Sequence, residues 1–419
     1  MAGISKLAGL TLAVLVGFVA LAQVAMAKPQ PGDLDPSFGH KGIVQTRVAG
    51  HRGSYWTSVA IDGSNRIVAA GYPGALVARY KPDGKLDPSF SGDGIQSADF
   101  PGGAGPVASV ALGKGGTVTV AEGVTCPSSG DCQPRTAQLA VARLTADGEL
   151  DPRFGEGGRA TFDRFFMDRT SVAIDSRGRT VLAGTYCHRG RCDFGLVRLK
   201  QNGKPDRSFG NQGQVTTRLN HGSGKFVTEL NGMAIDSRGR IITAGQATSG
   251  HVGLVRYTKD GRRDRSFGHH GIVDRSLDHL AAIEGIAITP KDKIVAAGPS
   301  KPNGNRWALA RFGRKGGLNR SFGNGGETAV NIPCAGNSDP AAVTLDSQNR
   351  IVVAGRPCYS VARFQPNGKL NRSFGRHGIA SKDLGHEFPE ALAVDSRDRP
   401  VVAGAWPGGI PLTLARFIG

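Results

Sequence analysis

The sequence predicts an all-β fold: a seven-bladed β-propeller with four-stranded antiparallel blades. The first observation is a phrase, Gly-x-Leu-Asp-x-Ser-Phe-Gly, that recurs along the chain. Its phenylalanines, spaced by 52 to 64 residues, are Phe38, Phe90, Phe154, Phe209, Phe267, Phe322 and Phe374. The second observation is that each repeat holds four short apolar runs bounded by Gly, Asp, Asn and Pro, the pattern of strands and tight turns. Four strands per 40–60 residues, repeated seven times, are typical of a propeller.

The first complete repeat gives the order of the strands. Residues 58–62 form one apolar run that ends in a turn, and residues 66–71 and 76–80 form the second and third runs. The phrase follows and leads into a fourth run. An arginine recurs in the third run of the repeats, and we predict that it pairs with the Asp of the phrase. No window has helical periodicity over three turns, so we expect almost no helix.

The two ends of the repeat array predict how the ring closes. The copy of the phrase at residues 34–39 has no third run before it, and the last third run, at residues 414–417, has no phrase after it. We therefore predict that the ring is closed by the N-terminal strand completing the last blade, which removes two open sheet edges. Residues 28–419 would then form a single propeller.

The first 27 residues have the pattern of a cleaved secretory signal peptide. Lys6 precedes an apolar run from Leu7 to about Ala22, and residues 25–27 (Ala-Met-Ala) offer a small-x-small cleavage site. The alternative is an uncleaved membrane anchor, because the apolar run approaches the ~20 residues that span a bilayer. No later segment is apolar for long enough to do so. We expect a secreted or periplasmic protein.

The repeat resembles the delta-60 repeat family. The resemblance rests on Asp-Gly-x-Leu-Asp-x-Ser-Phe-Gly together with Val-Ala-Ile-Asp and Arg-Ile-Val-Ala-Ala-Gly, and covers residues 28–419. The pattern is also similar to NHL-type propeller repeats, in which a Val-Ala-Val-Asp strand is innermost. The family implies a propeller fold and an exported location but no established reaction, so it carries over no catalytic residue. Departures from the pattern are Ser91, Gly113 and Glu122 around blade 2, and Asn319 and Asn371 in two later phrases.

Six cysteines in an exported chain predict disulfides rather than metal thiolates. The pairs predicted are Cys126–Cys132, Cys187–Cys192 and Cys334–Cys358. The alternative is a zinc site, which would require two closely spaced cysteine pairs to meet in space.

The chain is strongly basic, with a formal net charge of +18. Removal of Lys6 with the signal peptide leaves about +17. Most of this charge falls on the face of the ring that carries the short, regular turns, which suits adhesion to an anionic cell-envelope polymer. The alternative is a solvated face that keeps the protein soluble. No aromatic residues alternate with the basic ones, which argues against single-stranded nucleic acid as a partner.

Five acidic residues precede the centres of the innermost strands of blades 3 to 7. They are Asp168, Glu229, Glu284, Asp339 and Glu390. Circular geometry would gather them at the central mouth, where clustered carboxylates could hold a divalent cation. The alternative is that each pairs locally, as Arg169 beside Asp168 suggests. Histidines have no ligand spacing, so we assign no metal site beyond this possibility and no cofactor.

Several aromatic residues fall in or beside the long, irregular loops of the opposite face. They are Trp56, Tyr72, Tyr186, Trp307 and Trp406. Exposed rings with polar neighbours suit sugar or protein partners. The alternative is that the rings pack inward over the blades.

These patterns favour an exported, monomeric binding protein that recognises a polysaccharide, a peptide or a surface protein through its loop face. The sequence has no nucleophile elbow, phosphate loop or His-Glu-x-x-His motif, so we do not predict an enzyme. The main alternative is a cation-dependent hydrolase, lyase or lactonase with an acidic site at the mouth. A further alternative is adhesion to an anionic polymer through the basic face.

Overall fold

The fold is described from a computed structural model. It describes residues 28–48, 55–72, 74–100, 107–123, 138–163, 167–188, 191–219, 228–248, 250–302, 304–334, 338–384, 388–405 and 411–419. Within these residues the strands form seven four-stranded antiparallel sheets, one for each repeat. The predicted seven-bladed propeller is therefore confirmed.

Each blade runs from an innermost strand at the ring axis to an outermost strand at the rim. The innermost strands are β2 (Tyr55–Ile61), β6 (Val107–Leu112), β10 (Met167–Ile174), β14 (Glu229–Ile235), β18 (Gly285–Ile288), β22 (Pro340–Leu345) and β26 (Phe388–Val394). The second strands are β3 (Ile67–Tyr72), β7 (Val118–Gly123), β11 (Thr180–His188), β15 (Ile241–Thr248), β19 (Ile294–Pro299), β23 (Ile351–Gly355) and β27 (Pro400–Ala405).

The third strands are buried along most of their length. They are β4 (Leu76–Tyr80), β8 (Gln138–Leu144), β12 (Arg191–Leu199), β16 (His251–Tyr257), β20 (Trp307–Phe312), β24 (Tyr359–Phe364) and β28 (Leu412–Arg416). The outermost strands are β1 (Ile43–Thr46), β5 (Ile95–Ser97), β9 (Arg159–Asp163), β13 (Gln214–Thr217), β17 (Ile272–Ser276), β21 (Glu327–Val330) and β25 (Ile379–Lys382). The helical structure in the described ranges is one 3-10 turn, Lys114–Gly116.

The ring closes as the sequence predicts. Strand β1 pairs antiparallel with β28, with Ile43 opposite Ala415 and Thr46 opposite Leu412. The seventh sheet therefore has the order β1-β28-β27-β26. This arrangement gives the last blade its fourth strand.

The recurring phrase forms a buried cluster in each blade. Its phenylalanine is fully buried, and the arginine of the third strand lies over the ring at 4.3 to 4.8 Å from the centroid. In the five blades whose phrase keeps Asp, the arginine Nε donates to that carboxylate at 2.8 or 2.9 Å. In six blades the same guanidinium also donates to a backbone carbonyl of the next blade. The predicted Arg–Asp pairs thus lie within blades, and the arginines join neighbouring blades.

One predicted disulfide is present among the described residues. Cys334 and Cys358 are bonded, with a Cα–Cα distance of 6.5 Å, and join the segment after β21 to the turn before β24. Cys192 is also disulfide-bonded and lies directly opposite Cys187 in the β11–β12 register. This register is compatible with the Cys187–Cys192 disulfide, which stays a prediction. Cys126, Cys132 and the predicted signal peptide lie outside the described residues.

No helix in the described ranges is long and apolar enough to cross a membrane.

Candidate functional site

The innermost strands begin around a central cavity at the end of the ring that carries the irregular loops. Its volume is about 520 Å³, and residues from all seven blades line it. Each blade contributes at least one lining residue, and in blade order these include Thr57, Ser109, Thr170, Asn231, Glu284, Ala341 and Glu390. This lining is mostly hydroxyl, amide and carboxyl groups, which suits a polar ligand.

A repeated β-bulge places these side chains at the cavity. In blades 1, 3, 4, 6 and 7 the pairing between the first and second strands skips one residue near the mouth. The skipped residues are Thr57, Thr170, Asn231, Ala341 and Glu390, all of which line the cavity. A bulged residue leaves the ladder and its side chain is re-aimed. In blade 5, Ala297 of the second strand pairs with Gly285. The residue before Gly285 is Glu284, which therefore stands at the bulge position.

A glycine faces the bulge in the second strand, where the two backbones approach closely. A Cβ on Gly71 would lie 2.0 Å from the carbonyl oxygen of Tyr55, and one on Gly245 would lie 1.9 Å from that of Glu229. These distances exclude a side chain at this place. The final glycine of the Arg-Ile-Val-Ala-Ala-Gly run is therefore required by the bulge.

Blade 2 supports the link between the glycine and the bulge, because it lacks both. Glu122 stands where the other blades have that glycine, and the β6–β7 register is regular, with Ala108 opposite Glu122 and Ser109 opposite Ala121. The bulge and the glycine are absent together. The departure at Glu122 that is visible in the sequence thus marks a blade whose innermost strand enters the mouth without a bulge.

The five predicted acids occupy two different registers. Glu284 and Glu390 stand at the bulge position, whereas Asp168, Glu229 and Asp339 stand two residues earlier, in the register of Tyr55. Glu284, Asp339 and Glu390 line the central cavity, and Glu229 is exposed outside that lining. The side chain of Asp168 lies outside the described residues. Three of the five are therefore brought together at the mouth.

The electrostatics of the mouth are dominated by these carboxylates. Arg356 donates to Glu390 at 3.0 Å, with both side chains about one-third exposed. Burial raises the pKa of Tyr55 to about 12, and the neighbouring Tyr72 and the negative charges of Glu390 and Glu122 act in the same direction. Since three carboxylates and one arginine line the cavity, the mouth attracts cations.

The structure separates the predicted loop-face aromatics into two groups. Trp56 and Trp307 are fully buried, so for these two the inward-packed alternative holds. Trp307 nevertheless supports the mouth, because its indole N–H donates to the carbonyl oxygen of Arg356 at 2.9 Å. Tyr72 and Tyr186 are partly buried, and Trp406 lies outside the described residues.

Two further aromatic residues flank the cavity, a loop-face tyrosine and a phenylalanine that the sequence pattern does not mark. Tyr55 lines the cavity and stacks on Tyr72, with ring centroids 5.5 Å apart. Phe388 is 41% exposed and lies 4.8 Å below the guanidinium of Arg356. Tyr55 and Phe388 each begin an innermost strand, in the same register. The sequence shows this equivalence once the blades are aligned on the bulge.

The carboxylates of the mouth do not form a metal centre in the described part of the chain. No group of three or more His, Cys, Asp or Glu side chains there is spaced to hold a metal ion. The lining is therefore an acidic surface with hydroxyl and aromatic neighbours.

Among the solved structures with a similar fold are three structures of lyases. Virginiamycin B lyase from Staphylococcus aureus matches in a catalytically inactive variant with quinupristin (11% identity) and in a selenomethionine-substituted form (12%). Both have a TM-score of 0.51, and the alignments cover 89% of this chain and 98% of the lyase. A streptogramin B lyase matches with a TM-score of 0.52 at 12% identity, over 88% of this chain and 96% of that one. Likeness at this identity shows a shared propeller fold.

Sequence comparison gives the same class. The family model described as "Domain of unknown function (DUF5122) beta-propeller" matches residues 63–90, 136–154 and 239–267. Two of these segments run from the turn after an innermost strand to the phenylalanine of the phrase, so the chain carries β-propeller repeats. No curated protein sequence is significantly similar to it.

Proposed function

We propose that this chain is an exported binding protein of delta-60-type repeats, which recognises an amine-bearing ligand at its central mouth. A basic peptide segment and an oligosaccharide of amino sugars both have this chemistry. The observation that supports the proposal is the ring of bulge residues around the cavity, with Glu284 and Glu390 at the bulge and Asp339 beside it.

The other lining groups fit the same ligand class. Thr57, Ser109 and Thr170 offer hydroxyl groups, and the Oδ1 atom of Asn231 is buried without a hydrogen-bond partner among the described residues. A protonated amine brings several donors, which matches a surface rich in acceptors. The Tyr55–Tyr72 stack and Phe388 add aromatic faces, which attract cations and pack against sugar or peptide surfaces.

Export is supported by two independent features. The first 27 residues have the pattern of a signal peptide, and Cys334 and Cys358 form a disulfide. Disulfides persist in oxidising compartments. This disulfide also restrains the turn that carries Arg356, two residues before Cys358, so it stabilises one wall of the mouth.

A pair of matched probes tests the proposal. The mature protein, residues 28–419, is titrated calorimetrically with a glucosamine oligomer and with its N-acetylated counterpart, and with a short oligolysine peptide. We expect the amine-bearing probes to bind and the acetylated oligomer to bind at least about tenfold more weakly, because acetylation removes the charge. Binding should weaken as salt is added.

The variants for this test change charge without changing shape. Glu284→Gln together with Glu390→Gln should weaken amine binding by roughly tenfold or more, because each change removes a carboxylate from the mouth. Glu149→Gln, an exposed acid in a turn on the opposite face, is the control and should have no effect. Absence of binding by every amine probe, or equal effects of control and mouth variants, would contradict the proposal.

A lyase-like enzyme at the same mouth is the second candidate. Fold likeness to the streptogramin B lyases and the acids at the mouth favour it. Its test is incubation of the mature protein with a streptogramin B and a divalent cation, followed by mass spectrometry. Product formation that Glu284→Gln abolishes would support this candidate, and an unchanged substrate would remove it.

A further inference from the structure

A second cavity, on the face of regular turns opposite the mouth, is produced by departures of blade 2 from the repeat. It has a volume of about 500 Å³ and lies between blades 2 and 3. Four residues of blade 2 that differ from the repeat pattern all line it, namely Gly113, Thr117, Thr119 and Arg153. Unrelated surface variation would not be expected to converge on one cavity.

The first two departures remove an ion pair that fills this space in five of the other blades. In blade 3, Arg179 donates to Asp175 across the turn and also lies 3.1 Å from Asp206 of the phrase. The same turn pair occurs as Asp62–Arg66, Asp236–Arg240, Asp346–Arg350 and Asp395–Arg399. In blade 2 the two positions are Gly113 and Thr117. The guanidinium that would connect the turn to Asp151 is missing, and the cavity takes its place.

The third departure places a hydroxyl group in a buried wall. The register positions equivalent to Thr119 are Val68, Val181, Ile242, Val295, Val352 and Val401, all buried. Thr119 is itself only 1% exposed, and its Oγ1 atom has no hydrogen-bond partner among the described residues. A buried hydroxyl without a partner is destabilising. A ligand in the cavity would provide that partner.

The fourth departure adds positive charge. Arg153 replaces the serine that the other six copies of the phrase have at this place. The cavity is lined by Lys114, Arg143, Arg153 and Arg177, against a single carboxylate, Asp151. Asp151 is fully buried and is held by Arg143 and Arg153, each at 2.9 Å. The lining therefore has a net charge of +3, which favours an anion.

We propose that this cavity binds a tetrahedral oxyanion, phosphate or sulfate, carried as an ester on a sugar-sized group. Arginine and lysine with a hydroxyl donor are the usual recognition groups for such anions. The volume exceeds what an inorganic ion needs and lies within the range of small-molecule sites. The site is independent of the proposed amine site, because it lies on the opposite face and shares no residue with it.

The sharpest test refills the cavity with the residues of the repeat. The variant Gly113→Asp with Thr117→Arg restores the turn pair without changing the net charge. The two changes belong together, because a Cβ on Gly113 would lie 2.4 Å from the Thr117 Oγ1 atom. The φ of Gly113 is −103°, which any residue can adopt. We expect this variant to be at least as stable as the wild type and to lose anion binding.

The probes separate the sources of the anion. Inorganic phosphate, inorganic sulfate, glucose 6-phosphate and glucose are titrated against the mature protein and followed by calorimetry. We expect glucose 6-phosphate to bind most tightly and glucose not at all. Thr119→Val, which matches the other blades, should weaken binding by about threefold to tenfold because one hydrogen bond is lost. Lys204→Gln, an exposed base of the same face outside the cavity, is the charge control and should change binding little.

Three results would overturn the proposal. They are undiminished binding by the refilled variant, a loss in Lys204→Gln as large as in Thr119→Val, and failure of the wild type to bind glucose 6-phosphate. A fourth result, binding of the inorganic ions without binding of the ester, would contradict the assigned ligand class. None of these results bears on amine binding at the mouth, so the two proposals fail separately.

Discussion

Arg416 donates its Nε–H to the Oδ2 atom of Asp35 at 2.9 Å, although the two residues are 381 positions apart in the chain. Arg399 donates to the same oxygen at 2.8 Å, and the guanidinium of Arg416 lies over the ring of Phe38. All these groups are buried or nearly so. The segment before β1 is therefore held to the last blade by a buried ion pair as well as by strand pairing.

Replacing Asp35 tests this contact. We expect Asp35→Asn to lower the free energy of unfolding by about 3–5 kcal/mol, because it leaves the buried Arg416 without its counter-charge. Urea unfolding at neutral pH measures the change. Asp33→Asn, an exposed neighbour whose carboxylate accepts a local hydrogen bond from the backbone of Gln30, is the control. Equal effects of the two variants would show that the pair does not stabilise ring closure.

Blade 6 offers the reverse experiment. Asn371 replaces Asp in its phrase, and the Nε and Nη1 atoms of the buried Arg363 have no hydrogen-bond partner among the described residues. Burial lowers the pKa of Arg363 to about 10, and neighbouring Arg350 adds to the effect. The Asn371 Oδ1 atom accepts a hydrogen bond from Ser373, as the Asp oxygen accepts one from serine in other blades. The amide nitrogen of Asn371 therefore faces Arg363, and both groups are donors.

Asn371→Asp should therefore stabilise the protein. It exchanges a donor for an acceptor opposite Arg363, and a hydrogen bond to a charged group contributes about 1.5–3 kcal/mol. We expect an increase of this size in the free energy of unfolding, measured by urea denaturation. Asn367→Asp introduces the same charge in an exposed turn and should have little effect. A neutral or destabilising result for Asn371→Asp would show that Arg363 is satisfied in another way.

The aspartates of the phrase also set the response to acid. Burial by itself would raise the pKa of Asp35, Asp87, Asp206 and Asp264, but hydrogen bonds from the neighbouring serine and the charge of the repeat arginine outweigh it and lower each pKa. The pKa of Asp151 is lowered in the same way by Arg153 and Arg143. A lowered folded-state pKa stabilises the fold above the unfolded-state value, about 3.9, and this contribution is lost as pH falls through the folded-state value.

We therefore expect the urea midpoint to be constant from neutral pH to about pH 5 and to fall steeply below about pH 4. Asp35→Asn removes one of these groups and should flatten the decline. Asn371→Asp adds one and should make it steeper. Parallel pH profiles for the three proteins would exclude this origin of the acid response.

The glycine opposite the bulge gives a prediction about the mouth. Gly71→Ala would place a Cβ 2.0 Å from the carbonyl oxygen of Tyr55, so the bulge must shift, at a loss of about 1–3 kcal/mol or more. We also expect weaker ligand binding at the mouth, because Thr57 and Tyr55 move. Gly63→Ala is the matched control, since a Cβ there meets no atom within 4 Å. Thermal unfolding compares the two, and equal melting temperatures would contradict the steric argument.

The sequence predicts the ring well because its period is visible in single residues. The recurring phrase locates the blades, and the unmatched copy at residues 34–39 predicts that β1 joins β28. The Arg–Asp pairs follow from the constant spacing between the third run and the phrase. These features repeat with the fold, so each blade supports the interpretation of the others.

The mouth is harder to predict because a β-bulge shifts register without leaving a pattern of its own. Glu284 and Glu390 stand at the bulge, while Glu229 stands two residues before it, although all precede the strand centre by similar distances in sequence. Trp56 lies between the two registers and faces the core. The blade 2 cavity is equally hard to predict from the sequence. It exists because blade 2 lacks the arginine that joins two turns in blades such as blade 3.

The bulge also separates the residues that line the mouth from the residues that stabilise the ring. A bulged residue makes no ladder pair, so its identity is not constrained by the strand opposite, and the frame of Phe, Arg and Asp is at the other end of the blade. Substitution at Thr57, Thr170, Asn231, Glu284, Ala341 and Glu390 can therefore change the chemistry of the mouth while the hydrogen-bonded architecture is kept. A library that varies these six positions together would measure how far the chemistry of the mouth can change while the ring stays folded.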